Sequence, residues 1–91
     1  MKKIYKYKIQ HEIEKIHAPI ANFLTVQVQN DTICVWAEID TDIAETDYYL
    51  FIVGTGWPIP EDSNYIGTVQ DADGMLIWHI YWRKEGLREN F

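Results

Sequence analysis

The stretch "NFLTVQVQNDTICVWAEID", residues Asn22 to Asp40, alternates apolar and polar side chains on both sides of an Asn30-Asp31-Thr32 turn. A repeat of two is the signature of a half-buried strand, because successive side chains leave a pleated backbone on opposite faces. The pattern places Leu24, Val26 and Val28 inward and Thr25, Gln27 and Gln29 outward. In the returning arm, Val35, Ala37 and Ile39 share one face, and Cys34, Trp36, Glu38 and Asp40 the other. The segment predicts a β-hairpin.

The rest of the chain keeps the same period. In "KIYKYKI", Tyr5, Tyr7 and Ile9 oppose Lys6 and Lys8. "HEIEKIHAP" reads as a short strand or irregular edge closed by Pro19. "DYYLFIV" is apolar on both faces, as a central strand must be. "YIGTVQ" and "MLIWHIYW" read as two further strands around a "DADG" turn in which Gly74 suits a positive φ. Six or seven short strands without an amphipathic helix predict an all-β fold, a small antiparallel β-sandwich or barrel. Residues 1–82 form its single domain, and residues 83–91 a C-terminal tail that makes one helical turn or frays.

A chain of 91 residues buries only about 60–65% of its unfolded surface. Four Trp, six Tyr and three Phe supply large buried areas in so small a core,. A single cysteine, Cys34, excludes an intrachain disulfide and a thiolate zinc site, which favours a cytoplasmic location,. No apolar run reaches the roughly 20 residues of a membrane-spanning helix. The lysines of "MKKIYKYKI" lack the apolar region of a signal peptide, so this segment reads as a strand of the mature protein.

Charge is segregated. From Ile16 to Trp82 there are ten acidic residues and no Lys or Arg; all eight cations lie toward the two ends. A phosphate-binding groove needs clustered Lys and Arg, so direct nucleic-acid binding is not expected.

Catalytic and metal chemistry find little purchase. Cys34 and His79 both fall mid-strand and lack the surroundings of an activated nucleophile. Asp40-Thr41-Asp42 and Asp71-Ala72-Asp73-Gly74 pair carboxylates without the further oxygen ligands of a calcium loop. No catalytic residue, metal site or cofactor is expected.

"GTGWPIPED", Gly54 to Asp62, is the one unusual loop. It lacks the Gly-Lys-Ser/Thr of a P-loop and the third glycine of a dinucleotide fingerprint. Gly54 and Gly56 permit a sharp reversal around Thr55, and Pro58 and Pro60 stiffen the second half of the loop. Trp57 is then held near a loop tip, either as a recognition anchor or folded back as a lid over the end of the sandwich. Trp36 and Trp78, on sheet faces, offer the same choice between an exposed contact patch and a surface covered by the core or by a second copy.

Taken together, "KIYKY", "VQVQ" before a turn with Trp36 in the returning strand, "VGTGWPIP", "YIGT" and "WHIY" resemble a family of small uncharacterised bacteriophage and prophage proteins with a VGTGxPIP pattern. The resemblance spans residues 2 to about 82. It implies a phage setting, hence the host cytoplasm, and carries no known activity. The place of Trp57 is often His in that pattern, which removes any role for an imidazole there.

These observations give the expectation of a non-enzymatic binding protein. It would dock on a host or phage protein, an inhibitor being one form, through an acidic, aromatic-rich surface that includes Gly54, Thr55, Gly56, Trp57, Pro58, Trp36, Trp78, Glu61 and Asp62. Such a surface suits a basic partner. The alternative is a pocket for a nucleotide-like ligand at Gly54–Pro60. A homodimer through the exposed rings also remains open.

Overall fold

The computed structural model describes residues 1–71 and 73–85. It contains seven strands: β1 (Lys2–Ile9), β2 (Ile13–Ala18), β3 (Ile20–Gln29), β4 (Thr32–Asp40), β5 (Thr46–Gly54), β6 (Asn64–Gln70) and β7 (Ile77–Lys84). All pairings are antiparallel, in one sheet of order β1-β4-β3 and another of order β2-β5-β7-β6. The Cα envelope is 17 Å thick and 40 by 34 Å across, as two stacked sheets about 10 Å apart require. The all-β antiparallel fold expected from the sequence is observed, and of the sandwich and the barrel it is the two-sheet sandwich.

The core forms where the two sheets face each other. Val35 of β4 meets Leu50 of β5 and Ile80 of β7, while Ala37 and Ile39 of β4 pack with Tyr48 of β5; Val35, Ala37, Ile39, Leu50 and Ile80 are all at most 3% exposed. Phe23, Tyr48 and Trp82 close one end of this core with ring centroids 5.1 to 5.9 Å apart, within the range of favourable ring pairs. The β3–β4 hairpin turns through Asn30 and Asp31 at φ of 52° and 62°. Two successive left-handed residues match the right-handed twist of the flanking strands. At the border of the first sheet, β1 carries Lys2, Lys3, Lys6 and Lys8 among its eight residues.

Several local expectations are corrected. Leu24 points away from the core and is 42% exposed, because the register slips between Phe23 and Thr25. A β-bulge adds one residue to the count and inverts the faces beyond it, so Phe23 takes the inward place. Cys34, on the outer face of β4, is nevertheless buried, with Sγ donating to the Thr32 carbonyl. Met75 and Leu76 precede β7 rather than belonging to it, and β7 continues through Arg83 and Lys84. The helical or frayed tail expected beyond these lies, from residue 86, outside the described residues.

The main departure concerns the Gly-Pro loop. β5 and β6 are both antiparallel to β7, which lies between them, so they are parallel to each other. Their connection therefore starts beside Trp78, the partner of Gly54, and ends beside Trp82, the partner of Asn64. It is a crossover strap along β7, not a hairpin tip. The strap explains why Val53, which alternates away from the core, is 5% exposed; Phe51, on the same face and 6% exposed, is covered by Arg83 and Tyr49.

Gly67 marks the place where β6 meets β3. A Cβ there would lie 2.7 Å from Val26 Cγ1, closer than real contacts allow. Gly67→Ala is expected to cost about 1–3 kcal/mol by overpacking, and Val26→Ala to recover part of that loss in the double variant. Urea unfolding of the four proteins checks this, and additive losses would contradict it.

Acidification gives a second test. Glu14 is held below the usual carboxylate range, chiefly by the Gln10 N–H it accepts and also by His11. Asp47 is lowered chiefly by its hydrogen bond with His17, with Lys15 contributing. A depressed folded pKa contributes stability above the unfolded value, about 4, and loses it as pH falls through the folded one. Unfolding midpoints should therefore drop below about pH 4, and drop less for Glu14→Gln combined with Asp47→Asn. Parallel curves for the two proteins would refute the assignment.

Candidate functional site

The strap begins with a tight turn. The Trp57 N–H donates to the Gly54 carbonyl at 3.0 Å, and Gly56 sits at φ 90°, the value a type II turn demands at its third residue and only glycine supplies cheaply. The turn returns the Trp57 ring onto its own first residue: a Cβ on Gly54 would lie 2.7 Å from Trp57 Cε2. Trp57 also meets Trp78 edge-on, with centroids 5.7 Å apart. It remains 47% exposed, so one ring both covers the end of the sandwich and faces solvent.

The same turn is fastened to the outer face of the second sheet through Thr55. Thr55 Oγ1 lies 2.9 Å from His79 Nε2, Thr68 Oγ1 lies 3.0 Å from His79 Nδ1, and Tyr65 Oη lies 2.6 Å from Thr68 Oγ1. This hydroxyl–imidazole chain uses both ring nitrogens of His79. At the far end the Arg83 guanidinium donates to the Glu61 carbonyl at 3.2 Å and stacks 5.3 Å above Phe51. Between the fastenings, Val53, Ile59, His79 and Tyr81 line a cavity of about 250 Å³.

The expected site residues therefore divide. Gly54, Thr55, Gly56 and Trp57 stand together with Trp78 at one end, and Pro58 leads away from them along the strap. Glu61 and Asp62 lie toward the opposite end, where Arg83 and Asn64 are. Trp36 is on the outer face of the other sheet, between Lys6 of β1 and Thr25 of β3. Its surroundings include cations, with Lys2 3.3 Å from Glu38, so it does not extend the acidic surface. Cys34 and His79 occupy different sheets, and His79 points away from the sheet that holds Cys34.

Residues the sequence did not single out complete the end around Trp57. Met75 and Leu76 are 80% and 52% exposed and line a depression of about 300 Å³ with Thr55, Trp57, Ile77 and Trp78. The β6–β7 turn holds them out: Asp71 Oδ1 accepts from the N–H groups of Met75 and Leu76, and the Asp71 N–H donates to the Leu76 carbonyl. The signal was in the sequence, since Asp71 to Gly74 is a turn and the two residues after it need not resume a strand at once.

Four segments converge on this end: residues 10–12, residues 30–31, residues 54–57, and residue 71 with residues 73–76. They bring Glu12, Asp31, Asp71 and Asp73, with Glu14 close behind, and not one Lys or Arg. At the opposite end charges are paired: Lys15 reaches Asp47 at 3.5 Å and Glu85 at 3.4 Å, and the N-terminal ammonium reaches Asp42 at 3.0 Å. Among the described residues, no three His, Cys, Asp or Glu side chains gather as metal ligands. No helix among them is long and apolar enough to cross a membrane.

A family profile for a domain of unknown function matches residues 1–90. The chain belongs to the DUF7352 family. No curated protein and no solved structure matches it.

Gly54→Ala tests whether Trp57 is seated by the absent side chain. The indole resonances of Trp57 and Trp78 are expected to move while that of Trp36 stays. The unfolding free energy should change by no more than about 1 kcal/mol, because a half-exposed ring can swing into solvent. Unmoved Trp57 and Trp78 signals would contradict this packing.

Proposed function

We propose that this chain is a non-enzymatic docking module whose working surface is the end around Trp57, Met75, Leu76 and Trp78, and whose partner is a protein with a basic surface. The observation that carries the reading is the coincidence of an exposed apolar cluster with a cation-free acidic rim. Neighbouring exposed apolar side chains are the usual mark of a contact site, and Trp and Met are favoured at such contacts. A rim of one sign steers a partner of the other sign and makes encounter depend on salt. The resemblance to bacteriophage proteins supplies a setting in which the partner is a host or phage protein in the host cytoplasm and docking inhibits it.

The nucleotide reading has weaker support. No Lys or Arg lines the cavity under the strap or the depression beside Trp57, and Arg83 is engaged with the Glu61 carbonyl and two rings. A phosphate at the Gly-Thr-Gly turn would therefore meet no cation among the described residues. In the 250 Å³ cavity Thr55 and His79 are already bonded to each other.

Capture of a host protein at low and at high salt tests the proposal. A partner should be retained at low salt and released at high salt. Met75→Asp should lose most capture, at least about tenfold, with near-UV and far-UV spectra unchanged. Capture indifferent to both salt and Met75→Asp would sink the proposal, as would a thermal shift with a nucleotide that Trp57→Ala removes.

A further inference from the structure

Beside the Trp57 cluster, on the other side of Trp78, the sandwich end opens into a larger cavity of about 440 Å³. That is within the usual range for binding pockets, about 300–1,000 Å³. Its floor is apolar: Ile9 belongs to the buried core, and Ile33, Ile52 and Trp78 pack against it. Its rim carries Glu12 from the β1–β2 turn and Asp31 from the β3–β4 turn. Both residues are exposed, and neither carboxylate pairs with a cation among the described residues. The third titratable group on the rim, His11, is engaged 2.9 Å from the Glu14 carboxylate. Lys8 precedes Ile9 and so points to the outer face of its sheet, away from the cavity.

We infer that this cavity takes the side chain of one arginine or lysine from the docked partner. The inference rests on the docking reading and deepens it by naming what the partner must present. Long basic side chains have an apolar stem and a charged head. Here the stem would lie on Ile9, Ile33, Ile52 and Trp78, and the head would meet Glu12 and Asp31 at the mouth, where charge-assisted hydrogen bonds form. An acidic or phosphorylated segment is rejected by the same two carboxylates. Because Trp78 separates this cavity from the Trp57–Met75–Leu76 depression, a cationic residue in one and an apolar neighbour in the other would engage the end together.

The two carboxylates can be removed without disturbing the turns that carry them. The Glu12 carbonyl, not its side chain, accepts from the Ile52 N–H. Asp31 sits at φ 62°, a conformation asparagine adopts readily. The test uses the full chain, acetyl-Leu-Arg-Leu-amide and its norleucine counterpart, acetyl-Leu-Nle-Leu-amide, with binding read from amide and indole NMR shifts. The arginine peptide should move the amides of residues 10–12 and 31–33 and the Trp78 indole. Its affinity should fall about three- to tenfold in the Glu12→Gln, Asp31→Asn double variant, the range for solvent-exposed charge pairs. The norleucine peptide should bind more weakly and ignore the double variant.

Equal binding of the two peptides, or no shifts at millimolar arginine peptide, would overturn the cavity assignment. Shifts confined to Trp57, Met75 and Leu76 would overturn it too. In each of these cases the docking reading still stands or falls separately on Met75→Asp.

Discussion

Strand β7 is gripped on both sides by strands that run the same way, and the inner face of its sheet is filled by the opposing sheet. The chain leaving β5 can reach the start of β6 only by travelling the length of β7 over the outer face. That single topological demand accounts for what is most unusual in this small protein. It makes a strap of "GTGWPIPED", it buries Val53 on a face that alternation assigns to solvent, and it draws Thr55, His79, Thr68 and Tyr65 into one hydrogen-bonded chain. The prolines fit the same demand, since Pro58 and Pro60 hold a segment extended and cannot donate to a ladder it must not join.

The strap also determines where an exposed ring can stand. Because the type II turn at Gly54–Trp57 comes first, the indole is delivered to the end of the sandwich, against Trp78, rather than to a distal tip. Its neighbours then come from other loops at that end, and the Asp71-capped turn adds Met75 and Leu76. The acidic character arises from the same convergence. Five lysines lie on β1 and β2, and Lys84 and the described arginine on β7, at positions that face sheet surfaces or the other end. The loops that meet at Trp57 come from the stretch of sequence without cations, or from residues 10–12, which have none.

How much of this was legible in the sequence depends on the range of the forces involved. Alternation is local, so the strands, the Asn30-Asp31 hairpin, the central place of "DYYLFIV" and the two faces of β4 could all be read from neighbouring residues. Leu24 could not, because the bulge that turns it outward is a property of its pairing with β4, not of "NFLTV" itself. Nor could the strap: whether two glycines and two prolines close a hairpin or span a sheet depends on which strand lies between β5 and β6. The candidate site divides for the same reason. Trp57 and Trp78 meet through a local turn and one register pair, Gly54 with Trp78, whereas Glu61, Asp62 and Trp36 were grouped with them by composition and are parted by topology.

The row of lysines along β1 has its own bearing on how copies of this protein coexist. A sheet border offers unpaired backbone donors and acceptors, and an identical border is the most available complement. Four ammonium groups in eight residues make that approach costly, since ribbon-to-ribbon growth would bring like charges into register along the seam. Crowded copies are thereby kept from zipping together through this border.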